Sequence, residues 1–443
     1  MVDYDPVIYS RLLTSFTLGF HIIFATIGVG VPVMIALAEW TGIKQKDPHY
    51  LLLARRWARG FVITVAVGVV TGTAIGLQLS LLWPNFMRIA GHTIGLPLFM
   101  ETFAFFLEAI FLGIYLYTWD RVKRKIRHLL LVIPIVIGST ASAFFITTVN
   151  AFMNTPQGFS LEGGVITNID PILAMFTPAM PTKVAHVLIT CYLTGAFLLA
   201  MISAFQILKG KHHIYHKKAL HLSMVSAFIF SIATVIIGDL SGKFLAEYQP
   251  QKLAAAEWHF ETTNEAPLIF GGVLTEDNDA AYGLEIPYAL SILAHGYPGG
   301  EVVGLEEFPI DERPPLWIHY LFDLMVLIGI YLLLVSFIYI VSSKMAPALV
   351  YSQLLLRAIV IGGPLSLLAI EFGWIFSEVG RQPWILVGVM KTSAGATTAA
   401  HVDLLLVVFA TVYIILAVSC IAVLRKLFKE YPVEKELQDR GIK

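Results

Sequence analysis

The sequence predicts an all-α polytopic membrane protein of about nine transmembrane helices, and three observations carry that reading. Hydrophobic residues make up 57% of the 443 and charged residues only 14%, where soluble proteins carry about 25% charged; mean hydropathy is +0.75. Nine apolar runs reach the roughly 20 residues that a bilayer core demands of a helix. The basic residues gather in alternate loops, as a chain crossing a membrane back and forth requires.

In chain order the runs are 16–38, 61–82, 96–117, 129–150, 184–208, 219–240, 316–341, 354–378 and 400–424. The first follows Asp3 and Asp5 rather than a basic region and is of spanning length, so it reads as a span and not as a cleaved signal. Lys44, Lys46, Arg55, Arg56 and Arg59 precede the second span, and Arg121, Lys123, Arg124, Lys125 and Arg127 separate the third from the fourth. Lys209, Lys211, Lys217 and Lys218 separate the fifth from the sixth, and Arg425, Lys426 and Lys429 follow the ninth. The positive-inside rule makes these faces cytoplasmic, with the N-terminus outside and the C-terminus inside. Loop 151–180 has no Lys or Arg, and loop 241–315 has only Lys243, Lys252 and Arg313, which places both outside. Loop 241–315 is too long for a simple connector. It is also too aromatic for plain disorder, with Trp258, Phe260, Phe270, Tyr282, Tyr288 and Tyr297. A partly ordered external loop that handles something amphipathic is expected, within a single domain spanning 1–443. Cys191 and Cys420 lie inside apolar runs, and no Cys-x-x-Cys or Cys-x-x-Cys-His occurs, which argues against thioether-bound haem and iron–sulfur ligation.

Polar residues inside the spans carry the chemistry. Glu371, Trp374 and Glu378 share one helical face. Gly380 and Pro383 then end the helix. A carboxylate at membrane depth is costly and marks a pathway, a ligand or a paired site. His21 lies early in the first span, Glu101 and Glu108 in the third, His186 opens the fifth, and Met325 is early in the seventh. All fall in the outer half of the bilayer, an arrangement suited to large planar cofactors held between helices. The bland alternatives are a histidine bonded to a neighbouring helix, a methionine that only packs, and a structural Glu101–Glu108 pair. The seven-residue spacing of those two glutamates on one face favours proton movement. His319, His401 and Asp403 compete as ligands or proton groups, whereas His212, His213 and His216 lie among lysines and read as solvated.

Taken jointly, several motifs resemble subunit I of the cytochrome bd-type quinol oxidases. They are Gly380-Arg381-Gln382-Pro383-Trp384 with Trp374 and Glu378 before it, Ala104 to Glu108, the Thr155-Pro156-Gln157-Gly158 turn, and Lys252 to Glu257. The resemblance runs along the whole chain, with the short form of the external loop. It implies an enzyme of the bacterial cytoplasmic membrane that oxidises quinol outside and reduces O2 to water at a di-haem centre without pumping. The implied cofactors are two haem b and one haem d. The implied partners are a second subunit of homologous fold and, in some members, a small single-span subunit. Position by position, His186 and Met325 correspond to the axial pair of the low-spin b haem. His21 and Glu378 correspond to single axial ligands of the two high-spin haems, and which of them holds haem d stays open. Glu101 and Glu108 correspond to acids serving the di-haem site, and Lys252 and Glu257 to quinol-loop residues. Arg381 pairs with haem propionates or with Glu378. Asp323 stands where some members have a basic residue. The competing classes are a secondary transporter, for which repeats are missing, and an electron-transfer cytochrome b without an O2 site.

Overall fold

The structure, a computed structural model, describes residues 4–163, 165–275 and 280–442. Residues 276–279 of the long loop, with 1–3, 164 and 443, lie outside the described residues. Among the described residues nine helices are long and apolar enough to cross a membrane. They are α1 (Pro6–Lys44), α2 (Pro48–Leu82), α3 (Pro84–Thr118), α4 (Val132–Asn154), α5 (Met180–Leu208), α6 (Ile214–Tyr248), α7 (Ile318–Met345), α8 (Gln353–Val379) and α9 (Val402–Glu430).

Every expected span is present, but the first three helices begin 10 to 13 residues before their apolar runs. The run marks only the stretch that lipid demands to be apolar; capping chemistry decides where the helix starts. Asp5 accepts from the Val7 amide and Asp47 from the His49 amide, and Pro6, Pro48 and Pro84 occupy first-turn positions. With 39 residues, α1 is about 58 Å long and overshoots a hydrocarbon core of about 30 Å.

Helices α1 to α4 pack as one group and α5 to α8 as a second, joined where α1 and α4 meet α5, while α9 leans on α1 and α2. Water does not drive helices together in lipid, so close packing must. The α1–α5 crossing shows it: a Cβ on Gly30 would lie 2.2 Å from the Cys191 carbonyl oxygen, so the backbones touch. Phe197, Met224, Leu332, Tyr339 and Ile359 fill the second group, and Ile35, Phe61, Leu112, Tyr115 and Ile135 the first. At one end of the first group Glu39, Tyr115 and His128 form a fully buried network. Tyr115 Oη donates to Glu39 at 2.7 Å, and His128 Nδ1 lies 2.6 Å from the same carboxylate.

The opposite end carries the two long loops. Helix α6 continues to Tyr248, so the first eight residues of the expected loop 241–315 are helical. The described residues beyond it form helix Pro250–Ala256, ribbons pairing 268–270 with 284–286 and 273–274 with 280–281, and helix Ala289–His295.

Candidate functional site

The His186 and Met325 side chains come to one level of the bundle. Thr194 on α5 donates to the Ser366 carbonyl on α8, fixing where those two antiparallel helices cross. From that point His186 is eight residues back along α5 and Gly373 seven residues forward along α8, so they lie about 12 and 10.5 Å toward the loop-bearing end. Met325 of α7 sits against Gly373, its sulfur 3.0 Å from where a Cβ there would stand. Neither ring nitrogen of His186 has a hydrogen-bond partner among the described residues, and Nδ1 is fully enclosed. An enclosed, unpartnered nitrogen is costly unless something other than protein engages the ring.

His21 on α1 is held differently. Its Nδ1 lies 2.8 Å from Thr71 Oγ1, whose own hydrogen goes to the Val67 carbonyl at 2.9 Å. Thr71 therefore accepts, Nδ1 carries the hydrogen, and Nε2 keeps its lone pair, the tautomer a metal ligand needs. Two residues earlier on α1, Gly19 leaves space that the Glu371 carboxylate approaches; Glu371 Oε1 is buried without a partner. On α3, Glu101 accepts from Ser142 at 2.9 Å, and Glu108 is buried with Oε1 unpartnered. A Cβ on Gly138 of α4 would lie 2.8 Å from the Glu108 amide nitrogen, so α4 presses directly on this acidic face.

At the end of α8, Glu378 accepts from Arg381 at 2.6 Å and, through its other oxygen, from Asn150. Of the two partners the sequence allowed Arg381, the structure shows Glu378. Lys183, one turn before His186, donates to Asn150 at 2.8 Å and Ser377 Oγ at 3.1 Å, and Lys252 donates to the Ser377 carbonyl at 3.0 Å. Three basic side chains thus gather around one carboxylate, and Arg381 Nη1 is buried without a partner among the described residues. Burial pushes Lys252 well below the ordinary lysine range, and neighbouring Lys183 and Arg381 push the same way.

Lys252 and Glu257 are not brought to a common surface. Both are buried, and on or just past the helix Pro250–Ala256 they stand five residues apart, about 140° around the axis. Lys252 turns to α8, whereas Glu257 feels the charge of Asp323 on α7. Neither Glu257 oxygen has a partner among the described residues. Burial first, then Asp323, holds this carboxyl well above the usual carboxylate range.

The competing residues separate cleanly. His401 and Asp403 are exposed at the start of α9. His319 is fully buried and bonded at both nitrogens, to the Ala256 and Gly271 carbonyls. His212 and His213 are exposed as expected, but His216 is not: it packs edge-on against Tyr215 inside the bundle. Trp374 is half-buried on the face between Glu371 and Glu378. Lys183, Asn150 and Ser377 were not legible as site residues. The available signal was Lys183 three residues before His186, which puts both on one face.

Nine spans among the described residues, with a histidine and a methionine at one level, buried acids and a basic end, define a polytopic membrane protein whose interior could take anionic planar cofactors between its helices. The comparisons with known proteins are specific. A family model for cytochrome bd terminal oxidase subunit I matches residues 9–432. A Bacillus subtilis protein provisionally named cytochrome bd menaquinol oxidase subunit I is 42% identical over 98% of this chain and 99% of its own. A second B. subtilis protein, cytochrome bd ubiquinol oxidase subunit 1, is 31% identical over 93% and 91%. The solved bd oxidase from Geobacillus thermodenitrificans superposes with a TM-score of 0.94 at 65% identity, covering 98% of this chain and all of that one. The chain belongs to the cytochrome bd terminal oxidase subunit I family. It is a subunit of a quinol oxidase and a multi-pass protein of the bacterial cytoplasmic membrane.

Membership implies haem, and the residues present fit it. The unpartnered His186 ring, the Met325 sulfur in the notch that Gly373 leaves, and the His21 tautomer are each what an axial ligand requires. The two oxygens of Glu378 each accept one hydrogen bond, which leaves lone pairs free. Arg381, with the Lys183 and Lys252 amines close by, offers N–H donors that suit propionate carboxylates.

Proposed function

We propose that the chain oxidises quinol at its loop-bearing face, taken as the outside with the N-terminus there and the C-terminus in the cytoplasm. O2 reduction to water is proposed on the same subunit, where a di-haem centre would supply the electrons taken from quinol. Two haem b and one haem d are proposed, supplying the electron acceptors and the O2-reducing iron when bound. His186 and Met325 would hold the low-spin haem, and His21 and Glu378 would each hold one high-spin haem, with Trp374 alongside. Arg381, Lys183 and Lys252 balance propionate charge.

The residues' own work is positioning and proton handling. Glu257, buried and raised, is a strong proton acceptor once ionised, and takes a quinol proton toward the outside. Lys252, placed among the cations beside α8, serves the haem end of that short helix more than the quinol end. Glu108 and Glu101, seven residues apart on α3, carry protons from the cytoplasm to the O2 site. Protons released outside and taken up inside separate charge without a pump. A second subunit of homologous fold completes the enzyme, joined in some members of the family by a small single-span subunit. The relative named for menaquinol shares 42% identity against 31% for that named for ubiquinol, which favours menaquinol.

The observation that carries the reading is the unpartnered His186 level with Met325. CO-difference spectroscopy of the purified complex tests it: a CO-binding high-spin species beside an unreactive low-spin b haem is expected. A colourless protein, or low-spin haem alone, would overturn it.

A further inference from the structure

His319 has no place in the haem ligation, yet it is among the most enclosed polar side chains of the molecule, with 0% exposure in the first turn of α7. Nδ1 lies 2.7 Å from the carbonyl of Ala256, the residue before Glu257. Nε2 lies 3.1 Å from the carbonyl of Gly271, between the strands 268–270 and 273–274 of the loop ribbon. Asp323, one turn on, accepts the Gly271 amide at 2.6 Å and stands 3.2 Å from Nε2. Trp258 stacks on the ring with centroids 3.9 Å apart and donates its indole N–H to the Leu316 carbonyl. Tyr320 donates to the Gly272 carbonyl at 3.2 Å. Gly271 and Gly272 have φ of +66° and +97°, so the ribbon turns here through a conformation that suits glycine.

Both nitrogens of His319 face acceptors that cannot donate. A ring with one hydrogen satisfies one of them; both are satisfied only when both nitrogens carry hydrogen, and Asp323 then supplies the counter-charge. Such a ring has no lone pair for iron. What it has is two arms on two separate pieces of the loop, one on the helix that leads into Glu257 and one on the ribbon.

We propose that His319 is a positioning residue for quinol oxidation: with Asp323 it clamps the loop ribbon at Gly271 and the Glu257 segment onto α7, fixing the quinol site's geometry. This rests on the reading of the loop as the quinol site. The two arms can be cut separately. An asparagine amide reaches about where Nδ1 stands, and a glutamine amide about where Nε2 stands. His319→Asn keeps the Ala256 arm and removes the ring's bond to the ribbon, which Asp323 and Tyr320 still hold more loosely, whereas His319→Gln keeps the ribbon bond.

In the purified oxidase complex, limited proteolysis reports ribbon opening through cuts within 268–286. Losing one buried hydrogen bond should raise the open population by up to about tenfold. His319→Asn should therefore be cut about that much faster than wild type and His319→Gln. The KM for quinol should rise in His319→Asn while haem spectra and turnover with donors that bypass the loop stay unchanged. Unchanged cleavage in His319→Asn would overturn the clamp. Faster cleavage with unchanged KM would instead overturn the loop's role in quinol binding and leave the clamp standing. An altered low-spin spectrum would overturn the proposal by making His319 part of the haem site. Wild-type protein gives a second test, free of folding failure: peptides covering 268–274 should exchange amide hydrogen slowly, and fast exchange there would overturn the clamp.

Discussion

Replacing Gly373 by alanine puts a single methyl group where Met325 rests. The new Cβ would stand 3.0 Å from the Met325 sulfur, against the roughly 3.5–4.0 Å that non-bonded heavy atoms prefer. The sulfur must retreat by about 0.5 Å or more. Overpacking of this kind costs about 1–3 kcal/mol, and alanine returns about 0.5–1 kcal/mol of helix preference over glycine. The net change of about 0–2.5 kcal/mol leaves the bundle folded. For an axial thioether the same displacement weakens the bond that raises the iron's potential. Gly373→Ala is therefore expected to retain its high-spin features while the low-spin b haem loses amplitude, titrates at a lower midpoint potential and accepts electrons from quinol more slowly. Reduced-minus-oxidised spectra and a redox titration of the purified complex read this out. A native low-spin spectrum at native potential would refute the placement of Met325 as a ligand beside Gly373.

Met325→Leu, which conserves volume, should convert the low-spin haem to high-spin or lose it, with stability changed by less than about 1.5 kcal/mol; an unchanged reduced spectrum would rule Met325 out. Glu378→Gln keeps the side chain's size but removes the anionic oxygen and one of the two acceptors that face Asn150 and Arg381, so one high-spin haem and O2 reduction should be lost while the low-spin haem remains reducible by quinol. Glu257 holds its proton above the usual carboxylate range, and it can accept a quinol proton only once ionised. Quinol oxidation should accordingly rise with pH as Glu257 ionises, and Glu257→Gln should lower it and flatten that limb. Donors that bypass the loop should show neither effect. Tyr115→Phe leaves one Glu39 oxygen buried and unsatisfied, and should cost about 1–3 kcal/mol in thermal unfolding with every haem band intact.

The spans were legible because lipid imposes length and apolarity together, and the loops because basic residues segregate. Helix starts were not, since Asp5 with Pro6 and Asp47 with Pro48 set them beyond the hydrocarbon, where hydropathy is silent. His186, His21 and Glu378 were readable as candidates because each is costly at its depth, whereas Met325, ordinary in an apolar run, was readable only through the family resemblance. Lys183 escaped because a lysine at a span's edge normally snorkels to the interface; only the fold reveals that it turns inward to Asn150. The matched pair Lys252 and Glu257 suggested one shared task. Seen as a helix begun by Pro250, the same spacing points them to different neighbours.

That short helix has a wider consequence. Its seven residues form a stiff strut about 10 Å long, wedged with Lys252 against the Ser377 carbonyl at one end and Glu257 near Asp323 at the other. On the proposed function, the grip on the substrate and the balance of the cofactor's charge are thus two ends of one rigid part. A lineage that changed its quinol could not reshape the grip without nudging the electrostatics of the first electron acceptor. Substrate choice and redox poise are bound to evolve together in this scaffold, and compensating changes for one should be sought at the other end of the strut.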